Sequence, residues 1–295
     1  MSTPQERRKL TNLAYRLLGS LADAEDVVQE TYVRWYALSD EQRDTIESTG
    51  AWLTTVASRI CLDLLRSARH RRERYVGEWI PEPLPNRNEW VGAAAPAGQA
   101  DPADRVTLDE SVSMAFLVVL ESMTPAERVA FILHDVFRYP FADVAEIVGR
   151  TPAACRQLAS SARARIEATP APVAPASGQA AIIREFKQAW AAKDIGALVA
   201  LLDPEVVAVA DGGGLVSAAL QPIAGSEEVV RAILSVSEAA PDLTFLERSV
   251  NGSPGLVMQH AGTTETVMAF AVDSGRITRI WAVRNPEKLR SWTLA

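Results

Sequence analysis

The chain has 295 residues, 48% of them hydrophobic, and this length suggests two or three domains with packed cores. It contains no run of about 18 apolar residues and no export-type apolar segment, so neither a membrane span nor a secretion signal is expected. The formal net charge of −7 argues against a chain that binds nucleic acid throughout, and the distant Cys61 and Cys155 suit reduced thiols in the cytoplasm.

Residues 4–76 carry apolar stripes at helical spacing, which predict a small helical bundle. One predicted helix of this bundle, within residues 21–37, has a strongly acidic face. Such a face is often only a solvated surface, but a docking site for a basic partner needs the same residues. The candidate docking residues are Asp23, Glu25, Asp26, Gln29 and Glu30.

The end of the bundle is basic, because residues 59–75 hold six arginines against two acids. A solvated charge run would look the same, but the pattern also suits contacts with DNA phosphates. The candidate DNA-binding residues are Arg59, Arg66, Arg69, Arg71 and Arg72.

Residues 77–105 are rich in proline, glycine and alanine and are predicted to form a linker. Residues 106–168 return to helical patterns. Within them, TPAE (124–127) predicts a helix start, with Thr124 as the cap, Pro125 first in the helix and Glu127 three residues after the cap. A second proline-rich linker is predicted at 169–179.

The segment 141–166 predicts a helix-turn-helix. Gly149 ends the first helix, and Thr151 and Pro152 begin the second. The spacing of Ala154, Leu158, Ala162 and Ile166 predicts its core side, although an ordinary helical hairpin remains an alternative. The opposite side has the mixture of small, amide and guanidinium groups that a helix in the major groove needs. The candidate DNA-reading residues are Thr151, Ala153, Arg156, Gln157, Ser160 and Arg163.

Residues 180–295 begin with one predicted helix at 180–202, followed by short β-like runs with a helical stretch at 225–236. Helices followed by antiparallel strands predict an α+β domain. Its candidates for proton transfer are Asp211, His260, Glu265 and Asp273. An isolated histidine is more often structural, and Asp211 before three glycines predicts a turn. With no metal-ligand spacing and no phosphate loop, neither a metal nor a cofactor is expected.

The first 168 residues resemble an extracytoplasmic-function (ECF) sigma factor. DAEDVVQETYVRW (23–35) is similar to region 2.2, which binds the clamp coiled coil of bacterial RNA polymerase. AWLTTVASRICLDLLRSARHRR (51–72) is similar to regions 2.3 and 2.4, which melt and read the −10 element. MTPAERV and the helix-turn-helix that follows it resemble region 4, which reads the −35 element. The resemblance implies core RNA polymerase, through its clamp and flap, and promoter DNA as partners.

Three short motifs, WIPEPLP (79–85), the glycine motif DGGG (211–214) and NPEKL (285–289), resemble those of the SigJ-like subgroup, in which a SnoaL-like (NTF2-type) domain is fused to the sigma factor. In that subgroup the extra domain is expected to regulate sigma activity through contact with the linker. In this chain Leu215 and Val216 follow the glycine motif, where a basic residue is often found. The residues implied in the regulatory contact are Trp79, Ile80, Pro81, Glu82 and Pro83 of the linker, Asp211, Gly212, Gly213 and Gly214, and Asn285, Pro286, Glu287, Lys288 and Leu289 near the C-terminus.

The predicted fold is therefore multidomain, with two all-α sigma domains (residues 1–76 and 106–168) and a C-terminal α+β cone (180–295), joined by linkers at 77–105 and 169–179. The predicted function is an alternative sigma factor that is regulated by its own cone; a small-molecule ligand of the cone stays open. One alternative is a helix-turn-helix regulator that is not a sigma subunit, which would not need the acidic docking face. The other is a SnoaL-like enzyme with an appended DNA-binding region, which would not need two basic blocks.

Overall fold

The computed structural model describes residues 4–72, 75–85, 113–168, 176–240 and 242–292, with the backbone alone at 68–72 and 176–177. The two predicted linkers fall partly outside these residues, at 86–105 and at 169–175. Contacts divide the chain into two compact units. The helical unit is Met1–Arg74 with Val119–Thr169, and the sheet unit is Tyr75–Val118 with Pro170–Ala295. This grouping is by contact, and the five-segment domain division stays a prediction.

In the helical unit, polar side chains cap the start of several helices, among them those that begin at Leu21, Pro125 and Pro152. The Ser20 side chain caps the start of the second helix. At Thr124 the side chain accepts the backbone amide of Glu127, and the Glu127 side chain accepts that of Thr124, which confirms the predicted helix start at TPAE. No helix in the described parts of the chain is long and apolar enough to cross a bilayer. The α-helices of the described residues are α1 (Pro4–Leu18), α2 (Leu21–Tyr36), α3 (Asp40–Asp44), α4 (Thr49–Arg72), α5 (Met114–Glu121), α6 (Pro125–Phe131), α7 (Phe141–Val148) and α8 (Pro152–Glu167). A π-helical turn, Ile132–Val136, directly follows α6, and α5 crosses into the sheet unit.

The helix-turn-helix of α7 and α8 forms as predicted, but the core line of α8 is shifted by one residue. Cys155, Ala159 and Ala162 are buried, whereas Leu158 and Ile166 are only half-buried. Strict four-residue steps drift by about 40° per step around a helix with 3.6 residues per turn, so they leave the core. Steps of four and then three residues, as in 155–159–162, stay on it.

In its described residues, the sheet unit contains six strands, three α-helices besides the start of α5, and a 3-10 helix at Arg290–Trp292. The prediction of a single helix over 180–202 is wrong. The helix is interrupted at Lys193, whose φ is +54°, and the Asp194 side chain caps the start of a second helix. The elements are α9 (Ala176–Ala191), α10 (Ile195–Leu201), β1 (Leu202–Asp211), β2 (Ile223–Ala224), α11 (Ser226–Ala239), β3 (Thr244–Val250), β4 (Ser253–His260), β5 (Thr263–Asp273) and β6 (Arg276–Val283).

The strands form one sheet in the order β2-β1-β6-β5-β4-β3. Strands β3 to β6 are joined by two-residue turns at 251–252, 261–262 and 274–275, each with positive φ at both residues, which matches the twist of tight hairpins. The expected α+β class is confirmed, but the expectation of antiparallel pairing throughout is wrong. β1 pairs in parallel with β6, which the long connection through α11 and the three hairpins permits.

Both faces of the sheet are covered. Alternate residues of β5 point to opposite sides, with Met268 and Phe270 on one side and Val267 and Ala269 on the other. The first face packs against α9, α10 and α11, and its core is filled by large side chains including Phe186. The second face is covered by the linker and the C-terminal segment, as described below.

Candidate functional site

The five predicted docking residues of α2 are all exposed, so the acidic face is open to a partner. Glu30 makes an exposed ion pair with Arg34 at 2.8 Å, which is worth little energy. Sequence reasoning missed two large apolar side chains, Val33 and Tyr36, which are 56% and 58% exposed. They lie seven residues after Asp26 and Gln29, and hence on the same side of the helix. The surface therefore combines apolar area, which suits the centre of a protein interface, with charged groups, which suit its polar rim.

The basic end of α4 is only partly described. Arg59 and Arg66 are exposed, and Arg66 pairs with Asp63 at 3.3 Å. The side chains of Arg69, Arg71 and Arg72 lie outside the described residues.

The outer face of α8 is available for DNA. Gly149 ends α7 with φ of +71°, and the Thr151 hydroxyl accepts the Ala154 amide at 3.2 Å, which fixes the turn between the two helices. Arg163 differs from its neighbours because its guanidinium is paired with Asp135 at 2.7 Å. The exposed candidates are Thr151, Ala153, Arg156, Gln157 and Ser160.

Within the helical unit, the helix-turn-helix part packs against the bundle of α1, α2 and α4. The Tyr139 hydroxyl donates to Thr54 Oγ1 at 2.9 Å. Arg59, one of the predicted DNA contacts, donates to the Glu146 carbonyl of α7 at 3.3 Å. Arg128 is buried and donates to the Leu17 carbonyl at 2.9 Å, and burial lowers its pKa to about 9.

In the sheet unit, the linker and the C-terminal motif meet at Asp211, whose side chain is fully buried. Its carboxylate accepts hydrogen bonds from the Tyr75 hydroxyl at 2.6 Å and from the Ile80 amide at 2.9 Å. It also accepts from Lys288 Nζ at 2.6 Å and from the Gly213 amide at 3.0 Å. The turn predicted at Asp211 is thus present, and the same carboxylate holds two other segments. We call Tyr75, Ile80, Asp211, Asn285 and Lys288 the linker hub.

The remaining bonds of the linker hub hold its members in place. Lys288 Nζ also donates to the Ile80 carbonyl at 2.5 Å and lies 4.0 Å from the centre of the Trp79 ring. Asn285 Nδ2 donates to the Tyr75 oxygen at 3.0 Å. Burial and the hydrogen bond to Asp211 raise the pKa of Tyr75 far above its usual range, so its phenol stays a donor.

The glycine motif allows these segments to approach closely. A Cβ on Gly213 would lie 2.3 Å from Asn285 Nδ2, and its φ of +63° already disfavours other residues. A Cβ on Gly212 would lie 2.4 Å from the Val216 carbonyl oxygen. A side chain at Gly212 or Gly213 would therefore clash with its neighbours. This steric requirement explains both glycines without a phosphate ligand.

The linker continues along the second face of the sheet. Ile80 and Leu289 are buried in one cluster with Trp292, and Trp292 Nε1 donates to the Pro83 carbonyl at 2.8 Å. Leu84 exchanges two hydrogen bonds with Asn251. Pro81, Glu82 and Pro83 are buried, whereas Pro286 and Glu287 are exposed. Sequence reasoning missed Tyr75, Asn251 and Trp292, which lie outside the three motifs.

The four candidates for proton transfer do not form one site. His260 and Glu265 pair at 3.4 Å on the surface, and Asp273 lies at the other end of β5. Asp211 is occupied by its four donors. Packed aromatic rings fill the first face of the sheet. The centre of the Phe186 ring lies 5.8 Å from that of Trp190 and 5.6 Å from that of Phe270.

Comparisons with known proteins agree with the motifs. Residues 5–71 match the family model Sigma-70 region 2, and residues 113–166 match Sigma-70, region 4. The chain is 40% identical over 294 residues to "ECF RNA polymerase sigma factor SigJ" of Mycobacterium tuberculosis, covering 96% of this chain and 90% of that protein. It is 34% identical over 286 residues to "Probable ECF RNA polymerase sigma factor SigI" of the same species, covering 96% and 92%.

A solved structure is similar over the same extent. The crystal structure of Mycobacterium tuberculosis SigJ matches with a TM-score of 0.75 and 34% identity, covering 97% of this chain and 96% of that one. The similarity therefore includes the sheet unit as well as the helical unit.

Proposed function

The chain belongs to the ECF RNA polymerase sigma factor family, and from that premise we propose that its SnoaL-like sheet unit controls its sigma activity through the linker hub. A sigma factor of this family directs RNA polymerase to selected promoters. The observation that carries the proposal is the buried Asp211 carboxylate, which binds both the linker and the C-terminal segment. The linker joins the two sigma regions in the chain. A domain that binds the linker can therefore control whether those regions are available to polymerase and promoter DNA.

The proposed docking surface for core polymerase is the exposed face of α2. Its acids would meet basic groups on the polymerase clamp, and Val33 and Tyr36 would supply apolar contact area. A regulator that binds DNA alone has no need of such a surface, which supports a sigma subunit over that alternative.

The proposed promoter contacts lie on α4 and α8. Arg59 and Arg66, with Arg69, Arg71 and Arg72, would contact the −10 strand, where each cation neutralises backbone charge. Thr151, Ala153, Arg156, Gln157 and Ser160 would enter the −35 major groove. We assign Arg163 to a phosphate contact, for which it would have to leave Asp135.

Promoter binding would open the helical unit. The −10 and −35 elements lie roughly 25 base pairs apart, or about 85 Å along B-form DNA. The two parts that would read them are joined by hydrogen bonds of 2.9 Å and 3.3 Å, at Tyr139 and Arg59. We propose that these two bonds break when both elements are bound.

We propose a protein-contact role for the sheet unit rather than catalysis. Asp211, which sequence reasoning weighed as a base, is buried and shared among four donors, and His260 is paired at the surface. The relatives that cover the whole chain are named as sigma factors. A sigma subunit acts with polymerase, so the proposed location is the cytoplasm.

The direct test of sigma function is run-off transcription with purified core polymerase on a library of promoter fragments. Full-length protein should produce discrete transcripts from a subset of fragments, and core polymerase alone should not. If the protein protects DNA in footprints but starts no transcripts with core polymerase, it is a DNA-binding regulator and the proposal fails.

A further inference from the structure

Four exposed apolar side chains gather around one groove in the sheet unit. The described residues include seven exposed large hydrophobic side chains, and four of them line this groove: Val76, Leu215, Val216 and Leu220, which are 53%, 59%, 38% and 63% exposed. The groove has a volume of about 420 Å³. Clustering of exposed apolar groups around a concavity is typical of a binding site.

The groove lies between the linker and the glycine loop. Val76, just before the linker, and Gly77, its first residue, form one wall, and the loop 212–220 forms the other. The two walls touch, since a Cβ on Gly214 would lie 3.0 Å from the Val76 Cβ. Val76 directly follows Tyr75, and Ala210 at the base of the groove directly precedes Asp211, so the groove adjoins the linker hub.

The lining defines the chemistry of the occupant. All eleven lining residues are glycine, alanine, serine, valine or leucine, so the groove's lining, as far as the structure describes it, has no ionisable side chain. The Arg284 guanidinium lies outside this lining and donates to the Ser217 carbonyl. A charged ligand would lose hydration there without a partner of opposite charge. Polar groups of the occupant can be met by backbone amides, carbonyls and the Ser217 hydroxyl.

The size of the groove favours a small molecule over a protein. Pockets for small ligands have volumes of about 300–1,000 Å³, whereas a stable protein interface takes about 20–30 residues a side. Eleven residues around 420 Å³ fall in the first class. The first face of the sheet is a different place, because its core is filled by packed side chains.

We infer that the groove of Val76, Leu215, Val216 and Leu220 binds an uncharged apolar small molecule, of aromatic or medium-chain aliphatic character, between the linker and the glycine loop. The bound molecule adds contacts to both walls and so stabilises the linker on the sheet unit, by mass action. That regulatory part rests on the proposed function, whereas the binding itself does not.

The test uses the full-length protein and the neutral probe N-phenyl-1-naphthylamine, which fluoresces in apolar surroundings. Saturable binding is expected, and Leu215→Ser with Leu220→Ser should weaken it at least about tenfold, since apolar contact is lost. Ile195→Ser is the matched control, because Ile195 is 58% exposed and lies outside the groove. All these side chains are exposed, and circular dichroism of each variant checks the fold.

Hydrogen exchange provides the second readout. The Ile80 amide, bonded to Asp211, should exchange more slowly when the probe is bound to the wild type, and not in the double variant. Equal probe affinity in the wild type and the double variant would overturn the site. A concentration-dependent dimer that the serines abolish, with no probe binding, would overturn it in favour of an interface between copies. Probe binding without slower exchange would overturn the regulatory part alone, and none of these results depends on polymerase.

Discussion

At the residue scale, Asp211 is the point on which the linker contact depends. Three of its four donors come from other segments: Tyr75, two residues before the linker, Ile80 of the linker, and Lys288 of the C-terminal segment. A buried carboxylate and a buried ammonium stabilise each other only as a pair, and either one alone is costly. The strength of the linker contact is therefore tied to this pair.

Asp211→Asn should destabilise the sheet unit by about 3–5 kcal/mol, because it leaves the Lys288 ammonium buried without its counter-charge. Differential scanning calorimetry should show a lower transition temperature for the variant. Asp242→Asn is the control, because it makes the same chemical change at an exposed aspartate of the same unit. Equal transition temperatures for all three proteins would show that the pair does not hold the linker.

Arg156→Ala and Gln157→Ala should each weaken binding to a −35 element by about 1–3 kcal/mol, if the two side chains contact bases. Arg163→Ala should weaken all DNA sequences alike, as a phosphate contact does. The measurement is binding to matched and altered −35 sequences at fixed salt, with footprinting. Unchanged −35 protection after all three replacements would remove α8 from the interface.

At the scale of the element, the capping pair of Thr124 and Glu127 fixes where α6 begins. Burial raises the pKa of Glu127, but hydrogen bonds from Ser161 and Thr124 and the charge of Arg165 outweigh it, so the pKa is lowered overall from 4.5. A lowered carboxyl pKa in the folded state contributes stability above the unfolded pKa, and that stability is lost as the pH falls through the folded pKa.

Glu127→Gln should therefore lower the free energy of unfolding of the helical unit at pH 7, and the difference from wild type should shrink as the pH falls below 4.5. Urea unfolding followed by circular dichroism at several pH values measures it. Glu167→Gln, at an exposed glutamate of α8, serves as the control. A difference that is constant with pH would mean that the Glu127 charge contributes nothing.

Reversing charge on α2, with Asp26→Lys and Glu30→Lys together, should weaken binding to core polymerase while the fold stays intact, because both side chains are exposed. Pull-down with core enzyme and thermal unfolding measure the two effects. Asp40→Lys with Glu41→Lys reverses two exposed acids on α3 and should leave binding unchanged. If the α2 and α3 variants bind core enzyme equally, the docking surface lies elsewhere.

The elements differ in how far the sequence could predict them. The turn between α7 and α8 was predictable, because Gly149, Thr151 and Pro152 act through local geometry. The interruption at Lys193 could also have been predicted, because Asp194 is a typical capping residue. The apolar residues on both sides of it continue at helical spacing, and they favoured one long helix instead. The parallel pairing of β1 with β6 and the bond between Tyr75 and Asp211 join residues far apart in the chain. Local patterns carry no information on such partners, so the motifs could be found and their geometry could not.

At the scale of the whole molecule, the proposed regulator lies in the same chain as the two sigma regions. The C-terminal segment from Asn285 supplies Lys288 to the linker hub and Leu289 and Trp292 to the cluster around Ile80. Its removal takes away both the charge partner of Asp211 and the apolar cover of the linker. Removal of the whole cone also takes away any support that the cone gives to the sigma regions on polymerase.

The most direct measurement of this control is run-off transcription from one promoter with three proteins at matched concentration: the full chain, residues 1–284 and residues 1–179. Loss of the segment from Asn285 should raise promoter output, because the linker is released while the rest of the cone remains. Loss of the whole cone should lower output below that of the full chain. Equal output from all three proteins would contradict the account, because the sheet unit would then have no influence on sigma activity.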